Sequence, residues 1–343
     1  MDPIDARSTA SPAVGLDGPW LVGDIGGTNA RLGWVAGRGA RVTHVRSLPV
    51  AEHAGPVAAI GAYLAALQAE TGAPPPRHAA LAVASALDGD LVALTNGHWS
   101  FSRKALGDAL GLATLTVLND FEALALALPR LGPQQLRWQG PTAQPAGTRA
   151  VVGPGTGLGV AGLVPTRGGW VALPGEGGHA TLSAADDFEA RLLHHARTRH
   201  AHVSAERLLS GLGLPLLHEA VVAVTGLPAR ASSASASAPS AQDIVERGLA
   251  GEPACARTLD VFCALLGGFA GNVALTLGAR GGVYIGGGIV PRLGERFVAS
   301  RFRERFEAKG RYRAYLQAIP TPLIVDTLAA LDGAAAAIEQ HTG

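Results

Sequence analysis

Three short apolar runs in this chain each break directly into a glycine-rich loop. Leu21-Val22 leads into Gly23-Asp24-Ile25-Gly26-Gly27-Thr28-Asn29. Ala150-Val151-Val152 leads into Gly153-Pro154-Gly155-Thr156-Gly157-Leu158-Gly159, and Val283-Tyr284-Ile285 into Gly286-Gly287-Gly288. The glycines of the three loops start at 26, 155 and 286, at nearly equal intervals. Glycine lets backbone approach a ligand closely, and successive N–H groups in such a turn form a nest for an anion. Thr28 and Thr156 can add hydroxyl donors. Asp24 can hold Mg2+ through water, because Mg2+ takes few carboxylates and keeps its waters. A single loop of this kind reads equally well as a tight turn; three of them, two with a threonine, are harder to dismiss. A dinucleotide fingerprint fits less well, since Gly153-Pro154-Gly155-Thr156-Gly157 lacks the GxGxxG spacing and no suitable acidic residue follows. The only lysines are Lys104 and Lys309, and neither follows a glycine. Any nucleotide is therefore held without a Walker lysine.

The length of 343 residues suggests two domains, at roughly 150 residues each. With 48% hydrophobic and 16% charged residues, the chain can bury a large core. A net charge of +1 leaves no electrostatic footprint for nucleic acid or an anionic membrane. Cys255 and Cys263 have no metal-ligand spacing, which suits a reduced, cytoplasmic protein. Residues 1–18 carry charge and proline and read as a flexible extension, not a signal peptide. Residues 229–241 are Ser/Ala-rich and read as a solvated loop. Val261 to Ala279 is uncharged and near bilayer-spanning length, but its glycines, Asn272 and Thr276 favour a buried helix with a small-residue face.

Strands are expected at 21–23, 31–35, 79–87, 115–118, 150–153, 283–285 and 323–325, with helices at 57–71, 121–128 and 328–340. Ser183-Ala184-Ala185-Asp186 resembles a capping box, and Ser240 is expected to cap the next helix. Mixed strands and helices in both halves indicate an α/β protein.

Uncharged and acidic hydrogen-bonding groups cluster between the loops, in Thr95-Asn96-Gly97-His98, in Asn119-Asp120 at a strand end, in Gly175-Glu176-Gly177-Gly178-His179, and at Glu206. A sugar needs such groups, because carboxylates and amides can pair with several hydroxyls at fixed positions. Each has a plainer reading: Asn119 or Asp120 as a helix cap, Glu176 and His179 as a turn, Glu206 as a helix-surface charge. His194, His195, His200 and His202 look metal-rich, but only His195 and His202 would share a helical face, so surface histidines are the better reading. Ser85 and Ser210 lack a nucleophile-elbow context.

Together these segments resemble the bacterial glucokinase family, ATP:glucose 6-phosphotransferases of the actin-like ATPase superfamily. The matching stretches are LVGDIGGTNARL (21–32), LTNGHWSFS (94–102), LNDFEALALALP (118–129), GPGTGLGVAGLV (153–164), LPGEGGHATL (173–182), HVSAERLLSG (202–211), GGVYIGGGIVPRL (281–293) and FRERFEAKGR (302–311). They fall in family order and span residues 20–333.

The resemblance implies two ribonuclease-H-like α/β domains with a cleft between them. Residues 19–130 plus 326–343 would form the smaller and 131–325 the larger. It implies that Gly23, Asp24, Ile25, Gly26, Gly27 and Thr28, with Gly155, Thr156, Gly157, Gly286, Gly287 and Gly288, line ATP. Asn96, Asn119, Glu176, His179 and Glu206 would hydrogen-bond glucose, with Asp120 as general base. The partners implied are glucose, ATP with Mg2+, and a second copy in a homodimer; neither nucleic acid nor membrane is expected.

Three departures stand out: no proline near Ser85-Ala86, a longer Ser/Ala loop, and an unmatched N-terminal extension. A related sugar-kinase group carries a cysteine-rich zinc motif after its histidine. No cysteine lies between His179 and Cys255, so that group fits poorly. A kinase for another hexose or an amino sugar is a second enzyme reading. A sugar-sensing regulator or an actin-like assembly protein that binds nucleotide is a third. A regulator would need a DNA-binding module, for which residues 1–18 are too short and too acidic, and an assembly protein has no need of Asp120, Glu176, His179 and Glu206 together.

Overall fold

Trp20–Ile25 is buried along nearly its whole length, so it cannot lie at a sheet edge. In the computed structural model, which describes residues 18–85, 87–94, 97–142, 145–228 and 238–340, this run is the central strand β1. β1 pairs antiparallel with β2 (Asn29–Val35), and β2 with β3 (Val42–Pro49). Helix α1 (Pro56–Thr71) then returns the chain to β4 (His78–Val83), parallel to β1. A small hairpin of β5 (Leu91–Ala93) and β6 (Ser100–Ser102) and helix α2 (Arg103–Ala109) lead to β7 (Thr114–Asn119), parallel to β4. The sheet order is β3-β2-β1-β4-β7.

After α3 (Asp120–Ala127) and the short β8 (Leu136–Arg137), the same pattern repeats. β9 (Arg149–Pro154), β10 (Leu158–Thr166) and β11 (Gly169–Gly175) form an antiparallel meander. Helices α4 (Asp187–Arg197), α5 (Leu214–Thr225), α6 (Ala241–Leu249) and α7 (Pro253–Leu277) precede β12 (Val283–Ile285), parallel to β9. α8 (Val290–Leu293), α9 (Glu295–Val298), α10 (Phe302–Glu307) and α11 (Arg313–Gln317) precede β13 (Leu323–Ile324), parallel to β12, and α12 (Ala329–Gln340) ends the described chain. The second sheet runs β11-β10-β9-β12-β13-β8. Both sheets therefore share a core of three antiparallel strands followed by two parallel ones, the ribonuclease-H-like order.

Contacts divide the chain into two compact units, the described parts of Met1–Asp120 with Ala334–Gly343, and Phe121–Gly333. The divisions fall at the first residue of α3 and within α12. Residues 121–130 and 326–333 group with the second unit for a steric reason. The Phe121 ring lies where side chains at Gly153 and Gly159 would be, and Gly333 sits against the Ala123 backbone.

Several local expectations hold. Ser240 caps α6 in a reciprocal box with Asp243. Gly267 and Gly271 lie in α7, 25 residues long and the one described helix apolar enough to cross a membrane. Its most apolar window is 78% buried, and side chains at Gly267 and Gly271 would strike the Phe302 and Phe306 carbonyls of α10. That close approach explains the small-residue face. Other expectations need correction. The strand expected to reach residue 87 stops at Val83. Ser183 is not a cap; Asp186 caps α4, accepting from the Glu189 amide at 2.8 Å. His202 lies beyond the end of α4 and contacts Thr181, so it shares no helical face with His195.

Each unit buries a histidine against a threonine hydroxyl. His78 Nδ1 lies 2.9 Å from Thr114 Oγ1, and His218 Nδ1 lies 2.9 Å from Thr258 Oγ1. Thr258 donates its own proton to the Ala254 carbonyl, so His218 Nδ1–H is the donor to Thr258. Burial lowers both histidines below the ordinary value of 6.5. The folded protein keeps these rings neutral while the unfolded chain takes up protons near 6.5. Their stabilisation is complete above that pH and is lost as pH falls below it. Denaturant titrations should give a constant midpoint from pH 8 to 7 and a falling one from pH 6.5 to 5. His218→Gln should flatten part of that fall; an unchanged slope would show that His218 does not contribute.

Burial also raises the Cys255 thiol to about 11 and the Cys263 thiol to about 12. Neither forms thiolate at neutral pH, so native protein should resist alkylation that the unfolded chain accepts at both positions.

Candidate active site

In both sheets the polar loops sit at the carboxyl ends of the parallel strands, where open α/β sheets bind ligands. In the first unit, β1 ends at Ile25, and Gly26-Gly27-Thr28 turns the chain into β2. The turn is closed by Gly26 N–H donating to the Asn29 carbonyl at 2.9 Å, and Thr28 O accepts from Val50 N–H at 2.9 Å. Asp24 and Ile25, expected in the turn, belong to the strand. Asp24 faces Arg31 across the β1–β2 ladder, with Arg31 Nη1 donating to Asp24 Oδ2 at 3.0 Å. Burial pushes the Asp24 carboxyl above its ordinary range, and Arg31 opposes that shift. Gly23 has a packing reason, since a side chain there would meet Leu81 at 2.6 Å.

Asn119 closes β7 and Asp120 opens α3, so Asp120 is a helix-starting rather than a strand-ending residue. The Asn119 amide donates to the Ser85 carbonyl at 3.2 Å, fixing its orientation beside the end of β4. Ser85 in turn donates to the Ala93 carbonyl at 2.6 Å. Asn96 lies outside the described residues. Its neighbour Gly97 is within reach of the first glycine loop, for a Cβ there would lie 3.3 Å from Gly27 Cα.

In the second unit, Gly155-Thr156-Gly157 turns β9 into β10, closed by Gly155 N–H donating to Gly157 O at 2.8 Å. The third loop lies alongside. Gly286 N–H continues the ladder to Val152 O at 2.9 Å, and Ile289 N–H reaches Pro154 O at 3.2 Å. Gly287 has φ +76°, and a side chain there would strike the Pro154 carbonyl, so only glycine fits. Gly155 and Gly288 have open space where a Cβ would stand, while a Cβ on Gly157 would collide with the Glu206 carboxylate and one on Gly286 would meet Leu124 at 2.9 Å.

Glu206 is the junction. Its Oε2 accepts from Leu158 N–H at 2.8 Å, and its Oε1 lies 3.8 Å from His179 Nε2. His179 Nε2 is also 3.9 Å from Glu176 Oε2. The Glu206 backbone N–H donates to Gly178 O at 2.9 Å, and Ser210 Oγ donates to Glu206 O at 2.8 Å. Glu206 is therefore not a helix-surface charge: it lies in a turn and is held from both ends. Glu176 and His179 are exposed, with side chains available to a ligand.

A cavity of about 370 Å³ opens between the second and third loops, lined by Thr156, Leu214, Gln242, Val245, Ile289 and Arg292 among others. Gly155, Gly211, Ala241 and Gly288 complete its wall. Sequence reasoning assigned no role to Leu214, Gln242, Val245 or Arg292. Ser240-Ala241-Gln242-Asp243 was legible only as a cap, and Arg292 lies four residues past a glycine loop without a spacing that marks it. Among the described residues, no group of three or more His, Cys, Asp or Glu side chains is arranged to hold a metal ion.

Comparison with known proteins places these features in a family. The glucokinase of Chromobacterium violaceum is 49% identical over 96% of this chain and 92% of its own length. The bifunctional protein glk of Paraburkholderia xenovorans is 45% identical over 98% of this chain, which spans only 51% of that longer relative. The crystal structure of a glucokinase from an Antarctic psychrotroph superposes with a TM-score of 0.84 at 38% identity, covering 94% of this chain and 98% of that one. The family model for Glucokinase matches residues 21–341, nearly the whole chain, and the chain belongs to the glucokinase family.

Proposed function

We propose that this chain is an enzyme that transfers the γ-phosphoryl group of ATP to the 6-hydroxyl of glucose. The observation that carries the reading is Glu206. One oxygen fixes the amide that starts β10 just after the Gly155–Gly157 turn, and the other faces His179. A phosphate loop and a hydroxyl-binding cluster are thus built from one side chain. That coupling has a purpose in a kinase, where donor phosphate and acceptor hydroxyl must be held in line.

Each residue takes a role by its chemistry. Gly155, Thr156 and the Gly286–Gly288 loop present backbone N–H and hydroxyl donors to the donor phosphates, and Gly26 to Thr28 do the same from the first sheet. The cavity beside Gly155 and Gly288 takes the rest of the nucleotide. Asn96, Asn119, Glu176, His179 and Glu206 pair with sugar hydroxyls. Asp120 accepts the proton of the 6-hydroxyl as it attacks. Mg2+ carried by the nucleotide neutralises phosphate charge, and Asp24 would hold it through water. Asp24, one oxygen of which accepts from Arg31, would supply a single carboxylate through water to an ion that needs only one or two protein ligands beside phosphate.

Asp120→Asn keeps the side chain's shape and its capacity to start a helix, and removes the proton acceptor. A positioned base contributes about 10²–10⁴ in rate, so kcat should fall by that factor with glucose binding and melting temperature near wild type. Near-normal turnover in the Asn variant, with a stability loss in Asp120→Ala, would make this residue a cap and not a base.

Glu176→Gln replaces a charged acceptor oxygen with a donor, and His179→Ala removes a hydroxyl partner. Leaving a buried sugar hydroxyl unpaired costs about 1–3 kcal/mol. The KM for glucose should rise several-fold or more in each variant, while nucleotide binding measured without sugar stays unchanged. Unaltered glucose saturation in both would reduce this segment to a turn.

A further inference from the structure

The cavity between the second and third loops has a chemically mixed wall. Gly155, Thr156 and Gly288 bring the backbone of the two phosphate loops to it, and Arg292 on α8 follows four residues past Gly288. Leu214 at the start of α5 and Ala241, Gln242 and Val245 on the first turns of α6 line it as well. Leu214, Ala241, Val245 and Ile289 offer flat apolar contact of the kind a purine ring takes. A nucleoside phosphate entering with its phosphates at Gly155 and Gly288 therefore lays its base against α6.

Among the described lining residues of α5 and α6, the only polar side chain is Gln242. Its amide is oriented by a neighbour one turn along α6: Gln242 Nε2 donates to Glu246 Oε1 at 2.8 Å. A carboxylate can only accept, so it is the NH2 group that faces Glu246, and the carbonyl oxygen is turned away from it. An amide carbonyl with one remaining N–H matches the amino group and ring nitrogen of adenine. Guanine presents a carbonyl where adenine has its amine, and would meet oxygen with oxygen. Arg292, whose guanidinium suits phosphate or ribose oxygens, lines the cavity from α8, close in sequence to the third loop.

We propose that Gln242, positioned by Glu246, selects adenine over guanine in the phosphoryl donor, with Arg292 holding the sugar-phosphate part of either nucleotide. This rests on the reading of the cavity as the nucleotide site, and the test separates the two.

The measurement is kcat/KM for ATP and for GTP, at saturating glucose, in four proteins. Wild type should prefer ATP. Gln242→Leu should lower the ATP-to-GTP ratio by roughly 5-fold or more, the lower range for loss of an amide–base pair, with the KM for glucose unchanged. Glu246→Ala should lower the ratio in the same direction by a smaller factor, because it releases the amide without removing it. Arg292→Ala should weaken both nucleotides by the same factor and leave the ratio alone. Gln242, Glu246 and Arg292 are exposed, so these variants fold. An unchanged ratio in Gln242→Leu, or a ratio that follows Arg292 instead, overturns the assignment.

The site itself is checked by Ala241→Phe, which fills the cavity, and by hydrogen exchange of α5 and α6 amides with and without ATP. A raised KM for ATP together with protection of those helices, but no change of ratio in Gln242→Leu, leaves the nucleotide site standing and removes Gln242 from selectivity. No protection and an unchanged KM for ATP removes the site and the inference together.

Discussion

The hydrogen bond from Leu158 N–H to Glu206 Oε2 ties the start of β10 to the segment around Glu206, and much of the second unit's loop geometry depends on it. It needs glycine at 157, because the carboxylate occupies the space of a Cβ there. It also needs the 204–213 segment close against the β9–β10 turn. That closeness is secured by Gly211 N–H donating to Gly155 O at 2.8 Å and Leu212 N–H to Thr156 O at 3.2 Å. A hydrogen bond to a charged group contributes about 1.5–3 kcal/mol, enough to hold the turn in one conformation. The other carboxylate oxygen is then pointed at His179 without further cost. A residue that stabilises the fold thereby also faces the exposed side chain proposed to bind sugar.

The repeated sheet order explains why the polar loops end up where they do. In each sheet the first strand is central, flanked by an antiparallel hairpin on one side and parallel strands on the other. Parallel neighbours bring several strand ends to the same edge. Ile25, Val83 and Asn119 end adjacent strands in the first sheet, and Pro154 and Ile285 do so in the second. Rigid strands limit the freedom of the loops they carry, so short side chains and backbone amides become fixed donors.

Much of this was legible in the sequence for a definite reason. An apolar run that stops at a glycine loop marks both a strand and its ligand-facing end, and the signal is local. Ser240 as a cap and α7 as a buried helix were legible for the same reason. What could not be read is what depends on distant neighbours. Phe121 looks like an ordinary apolar residue at the start of a helix, yet its ring fills the space left at Gly153 and Gly159. Glu206 carries no spacing that separates it from a surface charge. The cavity beside Gly155 and Gly288 is also lined from α5 and α6, distant in sequence from both of those loops and individually unremarked.

The glycines of the second loop show how misleading a motif's uniformity can be. Read as a string, GPGTGLG offers four equivalent points of close ligand approach. In the fold, Gly153 and Gly159 make room for Phe121, Gly157 makes room for Glu206, and only Gly155 faces open space. Most of the glycines therefore serve to bring protein groups close, not phosphate. The consequence is a loop stiffened from behind by an aromatic ring and a carboxylate, with Thr156 exposed and Gly155 half-buried at its tip. Donors fixed in this way need little reorganisation when charge develops on a transferring phosphoryl group, and that saving is what electrostatic catalysis depends on. The flexibility conferred by each glycine alone is cancelled by the contacts that the absence of its side chain permits.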